Sequence, residues 1–144
     1  KNESIIPYVI EPSVGVDRLL LAIIVDSFIK EKLENNDERI VMRLNYEMCP
    51  YKACVLPLVK KQGEKAKSIF RNLIKKGLDV LYDETGSIGK RYRRQDAIGT
   101  YWCITYDYDS EKDDCVTIRH RDTMKQERIK INNIFDYIIN KEEK

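Results

Sequence analysis

The sequence lacks the features that would assign it to a metal-binding, membrane-spanning or secreted class. It has one histidine, and its four cysteines form no C-x-x-C pair and match no zinc-binding spacing, so no metal site is expected. The longest apolar run, residues 19–25, is too short to span a bilayer, so no membrane partner is expected. The opening KNES is not followed by the long apolar core of a signal peptide.

The cysteines themselves indicate a reducing compartment. Three of the four lie in or beside apolar runs, which is typical of buried thiols; the four are Cys49, Cys54, Cys103 and Cys115. We therefore expect a cytoplasmic protein. The chain opens without Met, so we interpret it as an internal piece of a longer polypeptide, and an organellar form stays open.

Net charge is also low. The 26 Lys and Arg residues against 24 Asp and Glu residues leave only +2, which does not by itself argue for nucleic-acid binding. The distribution is more informative, because residues 90–94 read KRYRR, with four cations in five positions. A local basic patch on a near-neutral body suits a polyanion that binds at one place.

The sequence nevertheless contains enough apolar residues for a globular core, 42% against 35% charged. In the first third, residues 5–10 (IIPYVI) read as a strand and residues 17–33 as a mostly buried helix. The polar stretch 34–38 (ENNDE) is the candidate domain boundary. We therefore divide the chain into 1–37, a connector at 38–49, and a domain at 50–144.

The second unit alternates strands with helices. After a short strand-like run at 39–44, the order is strand, helix, strand, helix, strand, strand, helix, at residues 51–59, 63–77, 78–82, 87–98, 101–106, 115–119 and 131–139. Such an order predicts an α/β fold with a mixed, mostly parallel sheet flanked by helices. The last two strands are joined by a short loop and should be antiparallel.

Four sequence blocks carry a family resemblance. Residues 9–20 (VIEPSVGVDRLL) resemble the third signature motif of class II aminoacyl-tRNA synthetases, and EPS before the glycine is similar to the glycyl-tRNA synthetase form. Residues 49–58 (CPYKACVLPL), 83–99 (DETGSIGKRYRRQDAIG) and 116–128 (VTIRHRDTMKQER) resemble the anticodon-binding domain of that family. The blocks occur in the family's order, so the sequence resembles the carboxyl-terminal part of a glycyl-tRNA synthetase.

The resemblance implies roles for residues of the first block. Glu11 and Ser13 fall where the family contacts glycine, and a carboxylate is suited to pair with the ammonium of an amino acid. The implied ATP-binding stretch comprises Gly15, Val16, Asp17 and Arg18. An arginine in the first turn of a helix suits a phosphate, because the helix dipole already favours an anion there. Surface ion pairs and turn capping stay open as the alternative.

Nothing in the sequence resembles the family's first two motifs, so we expect this chain alone to be inactive and to need no cofactor. The resemblance implies that the full-length enzyme uses ATP with Mg²⁺ to activate glycine and transfers it to tRNA-Gly. It also implies a homodimer, with contacts that lie largely in the catalytic part, so a monomeric fragment is compatible with it.

The resemblance implies a five-stranded anticodon-binding domain that reads two cytosines. RNA loops are recognised by stacking and by hydrogen bonds to base edges, and arginine can supply both. The candidate tRNA-binding residues are Arg91, Arg93, Arg94, Arg119 and Arg121. Asp96, Glu84 or Asp122 could accept from the cytosine amine. Alternatively, the arginines of the basic run form ion pairs on a solvated helix face.

Three rival interpretations remain. A non-catalytic accessory subunit of a mitochondrial DNA polymerase resembles glycyl-tRNA synthetases, but it would not need the EPS and GVDR residues. Threonyl, prolyl or histidyl synthetases share the domain but not EPS together with SIGKRYRRQD. A flavodoxin-like small-molecule binder would need a phosphate loop after its first strand, and residues 57–63 (PLVKKQG) are not a good one.

Overall fold

The computed structural model of the chain describes residues 4–33 and 37–140. The helices are α1 (Val16–Ser27), α2 (Gly63–Lys75), α3 (Ile88–Ile98), α4 (Ser110–Asp113) and α5 (Ile134–Asn140). The strands are β1 (Phe28–Lys32), β2 (Glu38–Met42), β3 (Ala53–Pro57), β4 (Val80–Tyr82), β5 (Trp102–Tyr106), β6 (Cys115–His120) and β7 (Gln126–Lys130). Strands β1 and β2 form an antiparallel hairpin, and the other five form one sheet.

The five-stranded sheet has the order β4-β3-β5-β6-β7. Strand β3 pairs in parallel with β4 and β5, whereas β6 is antiparallel to β5 and to β7. The predicted mixed α/β fold and the antiparallel β5–β6 pair are confirmed. Parallel and antiparallel strand pairs are equal in number, because residues 126–130 form the edge strand β7, which the sequence pattern did not predict.

The interior strand β3 is buried on both faces, which explains its uninterrupted apolar sequence. Alternate residues point to opposite sides, so Ala53 and Val55 join the larger core, while Cys54 and Leu56 join a smaller cluster with Ile88 and Tyr92 of α3. The larger core includes buried residues of α2 and α5: Ala66, Ile69, Leu73, Ile134 and Ile138. Helices therefore cover both faces of the sheet, as predicted.

The buried thiols are confirmed for Cys49, Cys54 and Cys103. Burial raises the pKa of Cys103 to about 12, although the charge of Arg119 opposes the shift. Burial likewise raises the pKa of Cys54. Because the thiolate is the reactive form, these two side chains act as small apolar groups of the core rather than as nucleophiles.

The amino-terminal segment differs from its prediction in three ways. Residues 5–10 form no strand in the described chain, since Pro7 has no N–H and no neighbouring strand pairs with this segment. The predicted helix 17–33 ends at Ser27, and its second part becomes β1, because pairing with β2 satisfies that backbone from Phe28 to Lys32. Helix α1 is not buried: most of its large apolar side chains are exposed.

The proposed domain boundary stays a prediction, since residues 34–36 lie outside the described part of the chain. Strands β1 and β2 lie on either side of it and pair with each other. The hairpin and the rest of the connector, residues 43–49, pack against the end of α3. Gly99 ends that helix with φ +91°, and Arg121 Nη2 donates to Leu44 O of the connector at 2.8 Å.

Gly99 is required at this junction for two reasons. A Cβ there would lie 3.1 Å from Met42 O of β2, and a side chain is disfavoured at this φ. We predict that Gly99→Ala lowers the free energy of unfolding by about 2 kcal/mol, measured by urea denaturation.

Gly89→Ala is the matched control, because Gly89 lies in the first turn of the same helix with open space around its Cβ position. This substitution should stabilise the chain by about 0.5–1 kcal/mol, since alanine is the better helix former. Equal stability of the two variants would contradict the role assigned to Gly99.

Candidate nucleic-acid interface

The cations of the basic run on α3 fall into two groups. Arg91 is 4% exposed, and its Nη1 donates to Pro57 O at the carboxyl end of β3. Arg93 pairs with Asp37 of the hairpin, and Arg94 pairs with Asp83 at 2.6 Å. Arg93 and Arg94 remain partly accessible, so they can still meet a ligand, whereas Arg91 holds the loop after β3.

Arg119 and Arg121 are almost completely buried, at 5% and 2% exposure. Arg119 makes two hydrogen bonds to the carboxylate of Asp96, at 2.8 and 3.1 Å. Arg121 donates to Gly99 O and Leu44 O, at 3.1 and 2.8 Å. Both guanidinium groups are therefore occupied by protein partners.

This burial changes the interpretation of three candidate tRNA-binding residues. Arg91, Arg119 and Arg121 face the interior, and an RNA base could reach their guanidinium groups only by displacing protein contacts. The predicted acceptor Asp96 is likewise 1% exposed. The sequence pattern identified these residues as polar groups in one region but did not show that they bind one another. Their role in RNA binding stays a prediction, and the geometry favours a structural one.

The topology places an open crevice where the chain reverses direction across the sheet. From β3 the chain passes through α2 to β4 on one side, and then through α3 to β5 on the other. Ligands of such sheets bind at this switch point, outside the carboxyl ends of the strands. A crevice of about 420 Å³ lies there, lined by Val59, Lys60, Lys61, Gln62, Tyr108 and Glu111.

The crevice contains an unsatisfied buried donor. Gln62 is 1% exposed, and its Oε1 accepts from the Val59 amide at 3.3 Å. Its Nε2 has no hydrogen-bond partner among the described residues. Buried polar groups are nearly always paired, so this donor is an exception at the wall of the crevice, and it is closed off from solvent in the same way as the buried arginines. The sequence pattern excluded residues 57–63 as a phosphate loop and did not predict the crevice that this loop lines.

Beside the crevice, strands β6 and β7 present an uncovered polar surface on the same side as α3. It comprises Thr117, Gln126, Arg128 and Lys130, which we call the open sheet face. Asp107 lies between the open sheet face and the crevice. Its Oδ2 accepts hydrogen bonds from Thr117 and Arg128 of the open sheet face, and the next residue, Tyr108, lines the crevice. The crevice and the open sheet face thus form one continuous polar surface.

The predicted glycine- and ATP-binding residues lie elsewhere. Glu11, Ser13, Gly15, Val16, Asp17 and Arg18 are all exposed, on the irregular segment before α1 and on its first turn. Exposed residues on one segment do not enclose a ligand, so the described chain does not by itself form a site that fits ATP or Mg²⁺. Within the described residues there is no metal-binding cluster and no helix able to cross a membrane.

Comparison with known proteins agrees with this architecture. Residues 52–141 match the family described as the anticodon binding domain. The chain belongs to this family. The anticodon-binding domain thus accounts for the five-stranded sheet, its helices and the crevice.

Three relatives that match nearly the whole chain carry the same name. The chain is 54% identical over 137 residues to the glycine–tRNA ligase of Alkaliphilus oremlandii and 56% identical over 137 residues to that of Clostridium beijerinckii. It is 57% identical over 133 residues to that of Malacoplasma penetrans. These matches cover 95%, 95% and 92% of this chain but 29% of each relative. The resemblance seen in the sequence is confirmed, and none of the three supports the polymerase-subunit alternative.

Solved structures show the same domain fold. The RNA-binding domain of threonyl-tRNA synthetase from Cryptosporidium parvum superimposes with a TM-score of 0.64 at 28% identity, covering 68% of this chain and 25% of that chain. Histidyl-tRNA synthetase from Nostoc superimposes with a TM-score of 0.61 at 16% identity, covering 64% and 22%. The second likeness shows the fold alone.

We expect the anticodon-binding domain to lose folding stability in acid because of Asp107. Burial by itself raises the pKa of this carboxyl, but hydrogen bonds from Arg128, Thr117 and Ser110 outweigh burial and lower it. The charged form therefore stabilises the folded state. This contribution is complete above the unfolded pKa of about 3.9 and is lost as pH falls through the lower folded pKa.

We predict that the stability difference between the wild type and Asp107→Asn is constant above about pH 5 and shrinks below about pH 3. Urea denaturation across a pH series measures it. Asp109→Asn is the control, because Asp109 is 72% exposed and should show no such trend. A difference that does not change with pH would show that the carboxylate of Asp107 is not held in its charged form.

Proposed function

We propose that this chain is the carboxyl-terminal part of a glycine–tRNA ligase, and that residues 50–140 bind the anticodon loop of tRNA-Gly. The observation that carries the proposal is the match of residues 52–141 to the anticodon binding domain, together with identities above 50% to ligases of this name along nearly the whole chain. A polymerase accessory subunit has no comparable support.

For the whole ligase, we propose activation of glycine with ATP and Mg²⁺, followed by transfer to tRNA-Gly, in a cytoplasmic homodimer. The chain spans about 29% of the relatives' length, so most of that machinery lies outside it. Glu11, Ser13 and Arg18 would then complete a site whose other walls come from the rest of the ligase. Their exposure in this chain supports the proposal, because they are not committed to contacts within it.

The anticodon loop would bind at the crevice and along the open sheet face. Lys60 and Lys61 offer positive charge to the phosphates, and the ring of Tyr108, at 61% exposure, offers a stacking surface. This arrangement assigns the phosphate and stacking contacts to exposed side chains of the crevice in place of the buried arginines.

Acceptors for the cytosine amine are available at the same place. Carboxylates recognise the N4 amine of cytosine, and glycine anticodons carry two cytosines. Glu111 lines the crevice, and Asp109 lies beside Tyr108 with a largely exposed side chain. An acidic rim next to lysines would be unfavourable for non-specific RNA binding, so it supports selection of bases rather than general attraction to phosphate.

The direct test is binding of this chain to a tRNA-Gly transcript, compared with a transcript in which both anticodon cytosines are uracil. Each lost base contact should cost about 1–3 kcal/mol, and affinity should fall as salt rises. Equal binding of the two transcripts would restrict the domain to holding the RNA backbone. Absence of binding at low salt would overturn the proposal.

We predict that Lys60→Ala with Lys61→Ala weakens binding of both transcripts about tenfold at low salt and reduces the salt dependence, because two phosphate contacts are removed. The matched control is Arg71→Ala with Lys75→Ala, which removes the same charge from the exposed side of α2. If both double variants bind equally well, the RNA does not occupy the crevice.

A further inference from the structure

One buried carboxylate links the hairpin to the RNA-facing side of the sheet. Asp96 of α3 is 1% exposed and receives two hydrogen bonds from Arg119 of β6, at 2.8 and 3.1 Å. Its Oδ2 also accepts from Nη1 of Arg39, which is 1% exposed and belongs to β2. Two buried guanidinium groups from distant parts of the chain therefore share one carboxylate.

Arg39 is held from three directions. Its Nη1 also donates to Arg121 O at 3.0 Å, and its Nε donates to Glu31 Oε2 at 3.0 Å. Its Nη2 lies 2.8 Å from the same Glu31 oxygen, as an ionic contact that is not aligned for a hydrogen bond. Because hairpin, helix and the loop after β6 all meet at this side chain, Arg39 fixes their relative placement.

The other end of the network reaches the proposed RNA surface. Arg119 lies 4.9 Å from the ring centre of Tyr92, and the hydroxyl of Tyr92 is 2.6 Å from Thr105 Oγ1. Arg119 is two residues after Thr117 on β6, so both point to the face that also carries Arg128. Arg119 and Tyr92 thus lie on the same side of the sheet as the open sheet face.

We infer that Arg39 is a positioning residue for RNA recognition: through Asp96 it fixes Arg119 on the strand that carries the open sheet face. It thereby sets how the anticodon loop lies on that face against the base-contacting carboxylates of the crevice, and with it the discrimination between anticodon bases. Arg39 does not touch the RNA itself. Asp96 binds both terminal nitrogens of Arg119. Loss of Arg39, the third member of the network, therefore lets the Asp96 carboxylate and the Arg119 guanidinium rotate together. The inference rests on the proposed function, since it concerns the surface where the anticodon would bind.

The test compares Arg39→Met with the unmodified chain, using the cytosine transcript and the uracil transcript. The readout is the dissociation constant of the uracil transcript divided by that of the cytosine transcript. Partial unfolding lowers binding of both transcripts in proportion and leaves the ratio unchanged, so a purely structural role does not alter it. We expect the ratio to fall roughly 3- to 30-fold, while the uracil transcript binds nearly as before.

Lys30→Met is the matched control, because Lys30 lies on the same hairpin in an exposed ion pair with Glu38, and its ratio should not change. Arg39→Lys is the second variant in case the methionine variant does not fold. It keeps the charge but cannot reach three partners at once, so its ratio should also fall.

The outcomes separate the two proposals. A folded Arg39 variant that keeps the unmodified ratio overturns the positioning role and leaves the proposed function intact. An unmodified chain with a ratio of one overturns base recognition itself, and the positioning role with it. A fall in both the Arg39 and Lys30 variants would assign the effect to hairpin charge in general and would also overturn the role of Arg39.

Discussion

The ion-pair network around Asp96 is the contact on which the arrangement of the other elements depends. Burying a charge is costly unless it is paired with good geometry, and removal of one partner leaves the others uncompensated. Burial by itself lowers the pKa of Arg119, yet the hydrogen bonds and charge of Asp96 raise it, so Arg119 is held in its charged form. Because Arg39 joins the same carboxylate, helix α3, strand β6 and the hairpin are placed together.

The cations of the second unit are divided between buried and exposed positions. Arg91, Arg119 and Arg121 are buried and satisfy carbonyl and carboxylate groups inside the fold. Lys60 and Lys61 lie at the crevice, where the switch of chain direction keeps the carboxyl ends of the strands open. Arginine suits the first role, because its planar fork can make several directed hydrogen bonds at once.

Much of the fold could be predicted from patterns along the chain. Helix α2 follows from its apolar spacing and from the glycine after it, and β3 and β5 follow from their apolar runs. The edge strand β7 was missed, because its sequence QERIK has no apolar run and its strand form depends on pairing with β6. Strand β1 was predicted as part of a helix, because its strand form depends on pairing with β2, which follows the polar stretch taken as the domain boundary.

The sequence by itself determined the family, the order of most elements and the presence of many arginines in the second unit. These properties depend on motifs and on the spacing of residues that are close together in sequence. Only the tertiary structure decided which of those arginines are buried and which surface is open. Burial depends on what packs on top of a residue, and Arg39 and Asp96 come together across 57 positions of sequence. No local pattern encodes such a contact, so the crevice at Gln62 and the network at Asp96 became visible only in three dimensions.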